Sequence, residues 1–590
     1  MKKIKRIVAM ILAVIFAVSV TACGNGGDVG QRGTSGSNSG SGKKGAESGE
    51  PIELVVFSEL ANFSGEQQGW FAKLLLDKFN VKITIIPEAD GVFDTRMEAG
   101  NLGDIVVFGS TGNNYKRAVK ADMLLDWNKY DLLANHGNYI KDGMAMAIQA
   151  NKNLTSTITE GAKDTLYGIG HSVASSSKSH EQFFYTWDVR WDLYKQLGYP
   201  IVKNMDDLIT LFEQMKEICP TDENGNPTYA VSLWPDWDGA MVMYVKAFAT
   251  AYWGLDELQL GLYDSETGIV HDALEPNGPY LQSLKFFNTL YQKGLLDPNS
   301  MTQTYDGMIE KLKAGGTFFS IFNYSGSLGF NTDDHLSKGK YMYTMVPQDA
   351  TPICYGMSVF GGNRVWSIGA NTEYPELCMD IINYIASPDG YMEYLYGPKD
   401  ICWYYDEEGR ACFTDLGRRC HNDKGTSMTV EEAGDYAGGT FHDGEPQINN
   451  ATWSVNEINP NTSGDTYDST YWRSITSQVS YDIQKDWIDY TGVSSIGEYM
   501  ENLDYKVAPA TEYNEGEKDD EFEVTWKQVT QCIVDYSWKA IYANSDGEYT
   551  YYVQQMINTA NAYGYEQCKQ WTVNEAVKRH EAELLVTGGK

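Results

Sequence analysis

The sequence predicts an α/β protein of two lobes that ends in a long helical region. The chain has 590 residues, more than one hydrophobic core usually organises. Beyond residue 50, short apolar runs typical of strands alternate with apolar residues at helical spacing. After Val524, the apolar residues Trp526, Ile533 and Trp538 recur at helical spacing, which predicts the helical C-terminal region.

The first 50 residues are typical of an export signal followed by a flexible tether. Basic residues come first, Ile7–Val18 is apolar but too short to span a membrane as a helix, and small residues precede Cys23. This pattern resembles a bacterial lipoprotein signal over residues 1–22, in which Cys23 receives the lipid. Residues 24–50 are rich in glycine and serine and cannot bury apolar surface, so we expect a random coil. We predict a lipid anchor at Cys23; a buried free thiol is the alternative.

Alternating strands and helices follow the tether. Ile52–Phe57 and Val81–Ile86 are apolar runs typical of buried strands, and Glu66–Phe79 between them has helical spacing. Asp104–Phe108 predicts a third strand, and a turn over Gly109–Asn113 leads into another helix. A β-α-β-α-β order implies a parallel sheet with right-handed crossovers.

A second unit of strands and helices begins near residue 183. Asn204 is a typical N-cap, and the acidic residues Asp206 and Asp207 suit the first turn of the helix that follows. Ser387-Pro388-Asp389 starts a later helix, with proline at its first helical position. The remaining predicted elements are strands at Phe183–Val189, Tyr229–Leu233, Thr317–Phe322 and Tyr341–Val346, and helices at Pro375–Ala386 and after Ser387.

Charge and cysteine content exclude several classes of function. The formal net charge is −34, which argues against nucleic acid and against a basic membrane-binding face, since both need positive patches. No C-x-x-C pair occurs, and Asp222–Pro227 has its glycine too early for a calcium loop, so we predict a turn there, no metal and no cofactor. Cys402, Cys412 and Cys420 are close enough in sequence for a disulfide; we favour buried small apolar side chains.

Six segments carry a resemblance to the extracellular solute-binding proteins of ABC importers, in particular the large tethered lipoproteins of the family that includes maltose-binding protein. They follow one another in the family's order: Gly103-Asp104-Ile105-Val106, Leu166-Tyr167-Gly168-Ile169, Val189-Arg190-Trp191-Asp192 with Leu197-Gly198, Asn204–Glu217, Glu310–Asn323 and Ser367–Tyr396. Two details depart from the pattern. Gly103 replaces the family's proline, and Asn204–Glu217 lacks its tryptophan.

The resemblance implies a two-lobed, periplasmic-binding-protein-like fold of type II, with parallel-sheet lobes, hinge crossings and a helical C-terminal region. It places the crossings near Ile169–Ser172, near Ile353–Ser358 and after about residue 440. The implied domains are lobe 1 at 51–170 plus 358–440, and lobe 2 at 171–357 plus 441–590, after the signal at 1–22 and the tether at 23–50.

The resemblance also implies the function. The chain is expected to be a monomeric, lipid-anchored protein on the outer face of the cell membrane, which captures an oligosaccharide between its lobes and delivers it to membrane permease subunits. Two alternatives stay open. Tyr and Trp also line clefts that bind peptides, and a secreted glycoside hydrolase needs only two carboxylates among the 80 acidic residues. The sequence offers little evidence of a catalytic motif, since His180-Glu181 lacks the second histidine of a zinc protease. We therefore predict that the protein is not an enzyme.

Candidate ligand contacts follow predicted strands, because ligands of α/β folds bind outside the carboxyl ends of parallel strands. The 40 tyrosines and 15 tryptophans suit a groove for sugars, whose C–H faces stack on aromatic rings. The residues that this rule selects are Trp234, Asp236, Trp237 and Asp238 after one strand, Asn323 and Tyr324 after another, Glu59 and Asn62 after the first, and Ser110 after the third. Trp253 and Trp366 are weaker candidates. A structural loop, a solvated polar residue or a core tryptophan is the alternative in each case.

Overall fold

A computed structural model describes residues 49–89, 91–478, 481–513 and 515–588. The expectations for the export signal, the lipidation of Cys23 and the tether up to residue 48 lie outside these residues. Within them, no helix combines the length and the apolar composition that crossing a bilayer requires.

The strands are short, and most lie where an apolar run predicts them. They are β1 (Ile52–Ser58), β2 (Gly65–Glu66), β3 (Val81–Pro87), β4 (Ile105–Phe108), β5 (Gly168–Gly170), β6 (Tyr185–Arg190), β7 (Asp256–Leu258), β8 (Gly261–Tyr263), β9 (Val270–Asp272), β10 (Phe319–Phe322), β11 (Met342–Thr344), β12 (Ile353–Tyr355), β13 (Val365–Ile368), β14 (Trp403–Tyr405), β15 (Ala411–Phe413) and β16 (Lys506–Ala508).

The helices surround these strands and make up most of the C-terminal region. They are α1 (Gly69–Phe79), α2 (Val92–Glu98), α3 (Asn113–Lys120), α4 (Leu132–His136), α5 (Asn138–Gly143), α6 (Ala145–Ile158), α7 (Trp191–Gln196), α8 (Met205–Ile218), α9 (Met243–Trp253), α10 (Pro279–Gln292), α11 (Tyr305–Lys313), α12 (Ser327–Phe330), α13 (Asp333–Ser337), α14 (Pro375–Ile385), α15 (Pro388–Tyr396), α16 (Asp415–Asn422), α17 (Val430–Ala433), α18 (Arg473–Thr476), α19 (Asp482–Thr491), α20 (Ile496–Glu501), α21 (Asp520–Ile541), α22 (Asp546–Tyr563) and α23 (Tyr565–Thr587).

The first lobe is built on a six-stranded sheet in the order β2-β3-β1-β4-β13-β5. Strand β1 runs parallel to β3 and to β4, with Val56 opposite Ile105, so the predicted β-α-β-α-β order is confirmed. Strand β13 returns antiparallel to β4 and pairs with β5. The carboxyl ends of β1 and β4 and the start of β13 therefore share one edge of the sheet, where the chain turns toward the second lobe.

The central sheet of the second lobe has the order β10-β6-β11. Both neighbours pair antiparallel with β6, so the parallel sheet expected in each lobe is found among the regular strands of the first lobe but not in this sheet. The predicted strand Tyr229–Leu233 is also corrected. Tyr229 and Val231 form single parallel bridges to Thr317 and Leu296 on opposite sides, and no continuous ladder develops with either neighbour.

Two large hydrophobic cores define the lobes. The first extends from Leu54 to Val173 and from Trp366 to Trp472, and the second from Phe183 to Cys354 and from Ile483 to Cys568. The expected start of lobe 2 at residue 441 is therefore wrong. Phe441 belongs to the first core because its ring stacks on Trp70 with centroids 5.2 Å apart.

Paired segments connect the two cores. Residues 171–181 run beside 355–364: the amides of His171, Ala174 and Glu181 donate to the carbonyls of Arg364, Ser358 and Tyr355 at 3.1, 2.9 and 2.7 Å. A further connection follows Ile475, which packs on the first core, and reaches Tyr481 on the second. Short paired segments of this kind suit a hinge, because few residues absorb the motion.

Local signals fix many of the elements. The Asn204 side chain accepts from the amides of Asp206 and Asp207, as its N-cap pattern predicts. Helix α21 begins after the N-cap Asp519 and packs against α22 and α10, so the helical C-terminal region is confirmed. Cys402, Cys412 and Cys420 are free and buried, which confirms the favoured interpretation of these thiols.

Candidate functional site

Two aromatic rings stack at the surface of the second lobe. Trp237 is 48% exposed, and its ring lies 4.7 Å from that of Tyr305 with an interplanar angle of 29°. The Asp236 carboxylate accepts from the backbone amide of Tyr305 at 2.9 Å, which joins the loop after residue 233 to the first turn of α11. Although Asp236 and Tyr305 are 69 positions apart in sequence, the loop and the helix thus present one continuous face.

Tyr324 and Phe184 extend this face toward the hinge. The Tyr324 ring lies 6.1 Å from Trp237 and 5.6 Å from Phe184, which is 37% exposed. We call Phe184, Trp237, Tyr305 and Tyr324 the aromatic shelf. It follows the carboxyl end of β10 and precedes β6, the strand that the chain enters from the hinge segment 171–181.

The tyrosines of the aromatic shelf add polar groups to its apolar surface. Burial raises the pKa of both Tyr305 and Tyr324, so their hydroxyls stay protonated at neutral pH. Neither hydroxyl has a hydrogen-bond partner within the described ranges. The shelf therefore offers broad ring faces with free hydroxyls at their edges, the combination that binds an amphipathic ligand.

Trp234 lies beneath the shelf rather than on it. It is 1% exposed and packs edge-on against Trp237, with centroids 5.4 Å apart, and against Tyr244. The expectation that Trp234 reaches a ligand is therefore wrong for this structure, because neighbouring rings cover its faces. Trp234 supports the exposed ring instead.

The carboxylate of Asp238 is already engaged by the protein. Its two oxygens accept from the Met243 amide at 2.8 Å and from the Trp538 indole at 2.7 Å. Burial is the main reason that its pKa is raised. Asp238 therefore accepts from the first amide of α9 and links the shelf loop to α21. Contact of Asp236 and Asp238 with ligand hydroxyls stays a prediction.

Asn323 lies in the turn between β10 and α12. Its carbonyl accepts from the amides of Gly326 and Leu328 at 3.1 and 3.0 Å, so the backbone of the turn is fixed. Its half-buried side chain precedes Tyr324 of the aromatic shelf. A ligand contact by Asn323 stays a prediction.

Two candidates of the first lobe stabilise loops at the carboxyl edge of its sheet. The Glu59 carboxylate accepts from the Gly109 amide at 2.7 Å and from the Asn114 side chain at 2.8 Å, which ties the end of β1 to that of β4. Ser110 is exposed, and its hydroxyl accepts from the Gly112 amide at 3.2 Å. The structure thus places both at the expected edge.

Asn62 lines a polar groove of about 920 Å³ along the same edge. The chain from residue 445 to 451 forms one wall: Ser58 donates to the Ile448 carbonyl, and Asn449 donates to the Leu60 carbonyl. The polar groove is lined by Asn62, Phe63, Arg364, Tyr394, Gln447 and Asn450, among others.

The two remaining tryptophan candidates belong neither to the aromatic shelf nor to the lining of the polar groove. Trp366 is fully buried in the first core, and its indole donates to the Ala451 carbonyl at 2.7 Å. Trp253 ends α9 and lines a separate depression with Asp264 and His271. Trp366 is therefore wrong as a ligand contact because no face of its ring is accessible.

The segment predicted to be a turn rather than a calcium loop has turn geometry. The Asp222 carboxylate accepts from the amides of Asn224 and Asn226 at 2.9 and 2.7 Å. Nearby, ligand atoms of Glu223, Asp334 and His335 lie within 4.8 Å of one another. A hydrogen bond from Lys340 is the main reason that the pKa of Glu223 is lowered, so these groups form an ion-pair cluster.

Sequence reasoning missed several residues that the structure brings to these surfaces. Tyr305 and Phe184 complete the aromatic shelf, and Arg364 and Asn450 line the polar groove. The signal for Phe184 and Arg364 is their position next to β6 and β13, at strand starts rather than strand ends. Tyr305 is the first residue of a helix, so a rule that selects residues after strands does not include it.

The fold and its surfaces define a class: a two-lobed binding protein whose lobes are joined by short hinge segments. The family model for bacterial extracellular solute-binding proteins matches residues 71–397, more than half of the chain. The chain therefore belongs to the bacterial extracellular solute-binding protein family. A comparison with curated protein sequences gives no match.

Solved structures align over most of the chain at low identity. An N-glycan transport solute-binding protein from Streptococcus pneumoniae is 14% identical, with 91% of this chain and 99% of that chain covered and a TM-score of 0.44. An extracellular solute-binding protein from Bifidobacterium longum subsp. infantis is also 14% identical, with 91% and 100% covered and a TM-score of 0.48.

Proposed function

We propose that this chain is the lipid-anchored substrate-binding component of an ABC importer and captures an oligosaccharide between its two lobes. The observation that carries the proposal is the exposed stack of Trp237 on Tyr305, which Tyr324 and Phe184 continue to the start of β6. Family membership supports solute binding as such; the class of solute rests on the shelf.

The aromatic shelf matches the surface chemistry of a sugar chain. Pyranose rings carry apolar C–H faces that pack on aromatic rings, and hydroxyls at their rims that bond to polar groups. The free hydroxyls of Tyr305 and Tyr324 border the stacked rings. A bound oligosaccharide would favour closure of the lobes if the facing lobe adds contacts only in the closed state.

The lobe boundaries that we propose follow the two cores. Lobe 1 comprises residues 51–170 and 365–478, and lobe 2 comprises 183–354 and 481–588. The paired segments 171–182 and 355–364 form the hinge. These boundaries keep the expected crossings near Ile169–Ser172 and Ile353–Ser358. They move the third crossing from about residue 440 to the connection after Ile475.

We infer a carrier rather than a catalyst. The carboxylates near the shelf already accept hydrogen bonds within the protein. Asp236 accepts from the Tyr305 amide, and Asp238 accepts from the Met243 amide and the Trp538 indole. Anchorage at Cys23 and delivery to permease subunits complete the proposal, with the protein a monomer on the outer face of the membrane. New reducing ends that depend on one carboxylate would instead indicate a hydrolase.

The direct test is calorimetric titration of the soluble domain and its Trp237→Ala variant with the best-binding oligosaccharide. If the ring is an anchor, its loss should weaken binding by about 2 kcal/mol, or about thirtyfold. Tyr551→Ala is the matched control, since Tyr551 is 58% exposed on α22 and absent from the shelf. Equal affinities of the wild type and Trp237→Ala would remove the shelf from the site.

A further inference from the structure

Arg364 differs from the other arginines of the described chain in its lack of a partner. No carboxylate within the described ranges forms an ion pair with it, and no carbonyl accepts from its side chain. Arg96 donates to the Leu102 carbonyl. Every other described arginine pairs with an acid: Arg117 with Asp94, Arg190 with Asp192, Arg410 with Asp406, Arg418 with Asp415, Arg419 with Glu432, Arg473 with Asp465 and Arg579 with Asp256.

This isolation is unexpected in a chain with 80 acidic and 46 basic residues. Arg364 is half-buried, so water solvates its charge only in part. It stands directly before β13, whose first residue Val365 pairs with Phe108 at the end of β4. Arg364 therefore lies at the carboxyl edge of the sheet, where it lines the polar groove.

Asn450 gives a second and independent sign of a missing partner. It is 4% exposed, yet neither the nitrogen nor the oxygen of its side-chain amide has a hydrogen-bond partner in the described structure. A buried amide without partners is unfavourable, because its groups have lost their hydrogen bonds to water and gained none in return. Asn450 lines the same groove as Arg364, but its amide atoms are themselves buried. A ligand in the groove would satisfy Arg364 directly and Asn450 after a rotation of its side chain.

The other charged groups of the groove already have partners. Glu445 forms an ion pair with Lys424 and a hydrogen bond with the His442 ring, and Asp443 accepts from the amide and the hydroxyl of Thr440. Arg364 is thus the lining charge that remains for a ligand. Its charge also helps to lower the pKa of the neighbouring His171, after the larger effect of burial.

We propose that the polar groove is a subsite for the oxyanion of an acidic oligosaccharide, a carboxylate or a sulfate, held by the Arg364 guanidinium with Asn450 beside it. A guanidinium presents donors in a fixed fork that matches two oxygens of such a group. The negative charge of the whole chain opposes this only weakly, since salt screens charges beyond about 8 Å at physiological ionic strength. The inference rests on the proposed function and narrows the class of sugar.

The test uses sets of oligosaccharides that differ only in charge. Chondroitin sulfate, chondroitin and carboxyl-reduced chondroitin of one length form such a set, and galacturonate tetramers with their carboxyl-reduced forms give another. We expect at least tenfold tighter binding of an acidic member than of its neutral counterpart. The sulfated and unsulfated members distinguish the two oxyanions.

Variants assign the preference to the groove. Arg364→Gln should weaken the affinity for the acidic ligand at least tenfold and change the affinity for the neutral ligand less than threefold. Arg364→Lys should restore the affinity for the acidic ligand only in part, because a lysine lacks the two-pronged geometry of the guanidinium. Arg117→Gln is the matched control, because this exposed arginine of the first lobe pairs with Asp94 and does not line the groove. Unchanged melting temperatures would confirm that the variants fold.

Three outcomes would overturn the inference in distinguishable ways. If neutral members bind as tightly as acidic ones, or if Arg364→Gln leaves the acidic preference intact, the oxyanion subsite is wrong while oligosaccharide capture stands. If peptides bind and no oligosaccharide does, both the proposed function and the oxyanion subsite are wrong.

Discussion

Trp237 and Trp234 stand three residues apart, yet one is 48% exposed and the other 1%. The loop after residue 233 turns Trp237 outward onto Tyr305, while Trp234 packs among Tyr244, Phe322 and Tyr305. Similar neighbouring residues therefore have different roles, one as a candidate anchor and one as its support.

Trp234→Ala tests this difference. Removal of a fully buried indole should lower the free energy of unfolding by about 3–5 kcal/mol, because it deletes packed surface and leaves a cavity. The affinity of folded Trp234→Ala for the oligosaccharide should fall less than that of Trp237→Ala. Denaturant titration and calorimetry measure the two quantities. Unchanged stability with a large loss of affinity would return Trp234 to the ligand surface.

The sequence predicts where the shelf loop lies but not which ring faces outward. Binding at strand ends selects Trp234 through Asp238 together, since both tryptophans satisfy the rule equally. Their separation depends on Tyr305, which packs on the loop from α11. Such a long-range contact leaves no periodic signal in the local sequence.

At the scale of elements, Asp188 ties three parts of the second lobe together. It lies on β6, and its carboxylate accepts from the Ser327 amide at 2.6 Å at the start of α12 and from the Thr344 hydroxyl at 3.4 Å on β11. Burial raises its pKa from 3.8 to about 6, despite the hydrogen bonds that lower it. The folded protein therefore retains a proton that the unfolded chain releases.

Asp188→Asn should remove one component of the pH dependence of stability. Between about pH 4 and pH 6 the folded state binds the extra proton, so this component lowers the free energy of unfolding as pH rises, by about 3 kcal/mol in total. The difference in the free energy of unfolding between wild type and variant separates the contribution of Asp188 from that of the other carboxylates. Denaturant titrations at pH 4, 5, 6 and 7 measure it, with the exposed Asp482→Asn as control. A difference that stays constant across this range would contradict the raised pKa.

Elements with a strong local signal agree with prediction, and those fixed by distant partners do not. Strand β1 and helix α8 follow directly from an apolar run and from the Asn204 cap. Tyr229–Leu233 is apolar too, but its bridges are divided between Thr317 and Leu296. The placement of Phe441 with the first core depends on its stacking on Trp70, about 370 positions away in the chain.

At the scale of the whole molecule, length and alternating periodicity predict two lobes, and the two cores confirm them. The boundary after Ile475 is not visible in the sequence, because the chain makes a long return through the first core before it leaves. Helix α21 then joins the second core, and its Trp538 holds the shelf loop through Asp238. The C-terminal region thus stabilises the candidate site from behind.

Anchorage is a property of the whole molecule that one substitution tests. Cys23→Ala removes the residue expected to carry the lipid, so the full-length protein expressed in a bacterium should move from the membrane fraction to the medium or the soluble fraction. Cys219→Ala is the control, since this partly exposed thiol lies in the second lobe. Continued fractionation of Cys23→Ala with membranes would contradict lipid anchoring.

The most direct measurement of the central claim is a thermal-shift screen of the soluble domain against oligosaccharides and peptides. A ligand at 100 times its dissociation constant stabilises the folded state by about 2.7 kcal/mol, which raises the melting temperature clearly. We predict that at least one oligosaccharide raises it, that Trp237→Ala lowers this shift, and that the sugar is recovered unchanged. Stabilisation by peptides alone, or steady conversion of the sugar to products, would contradict the claim.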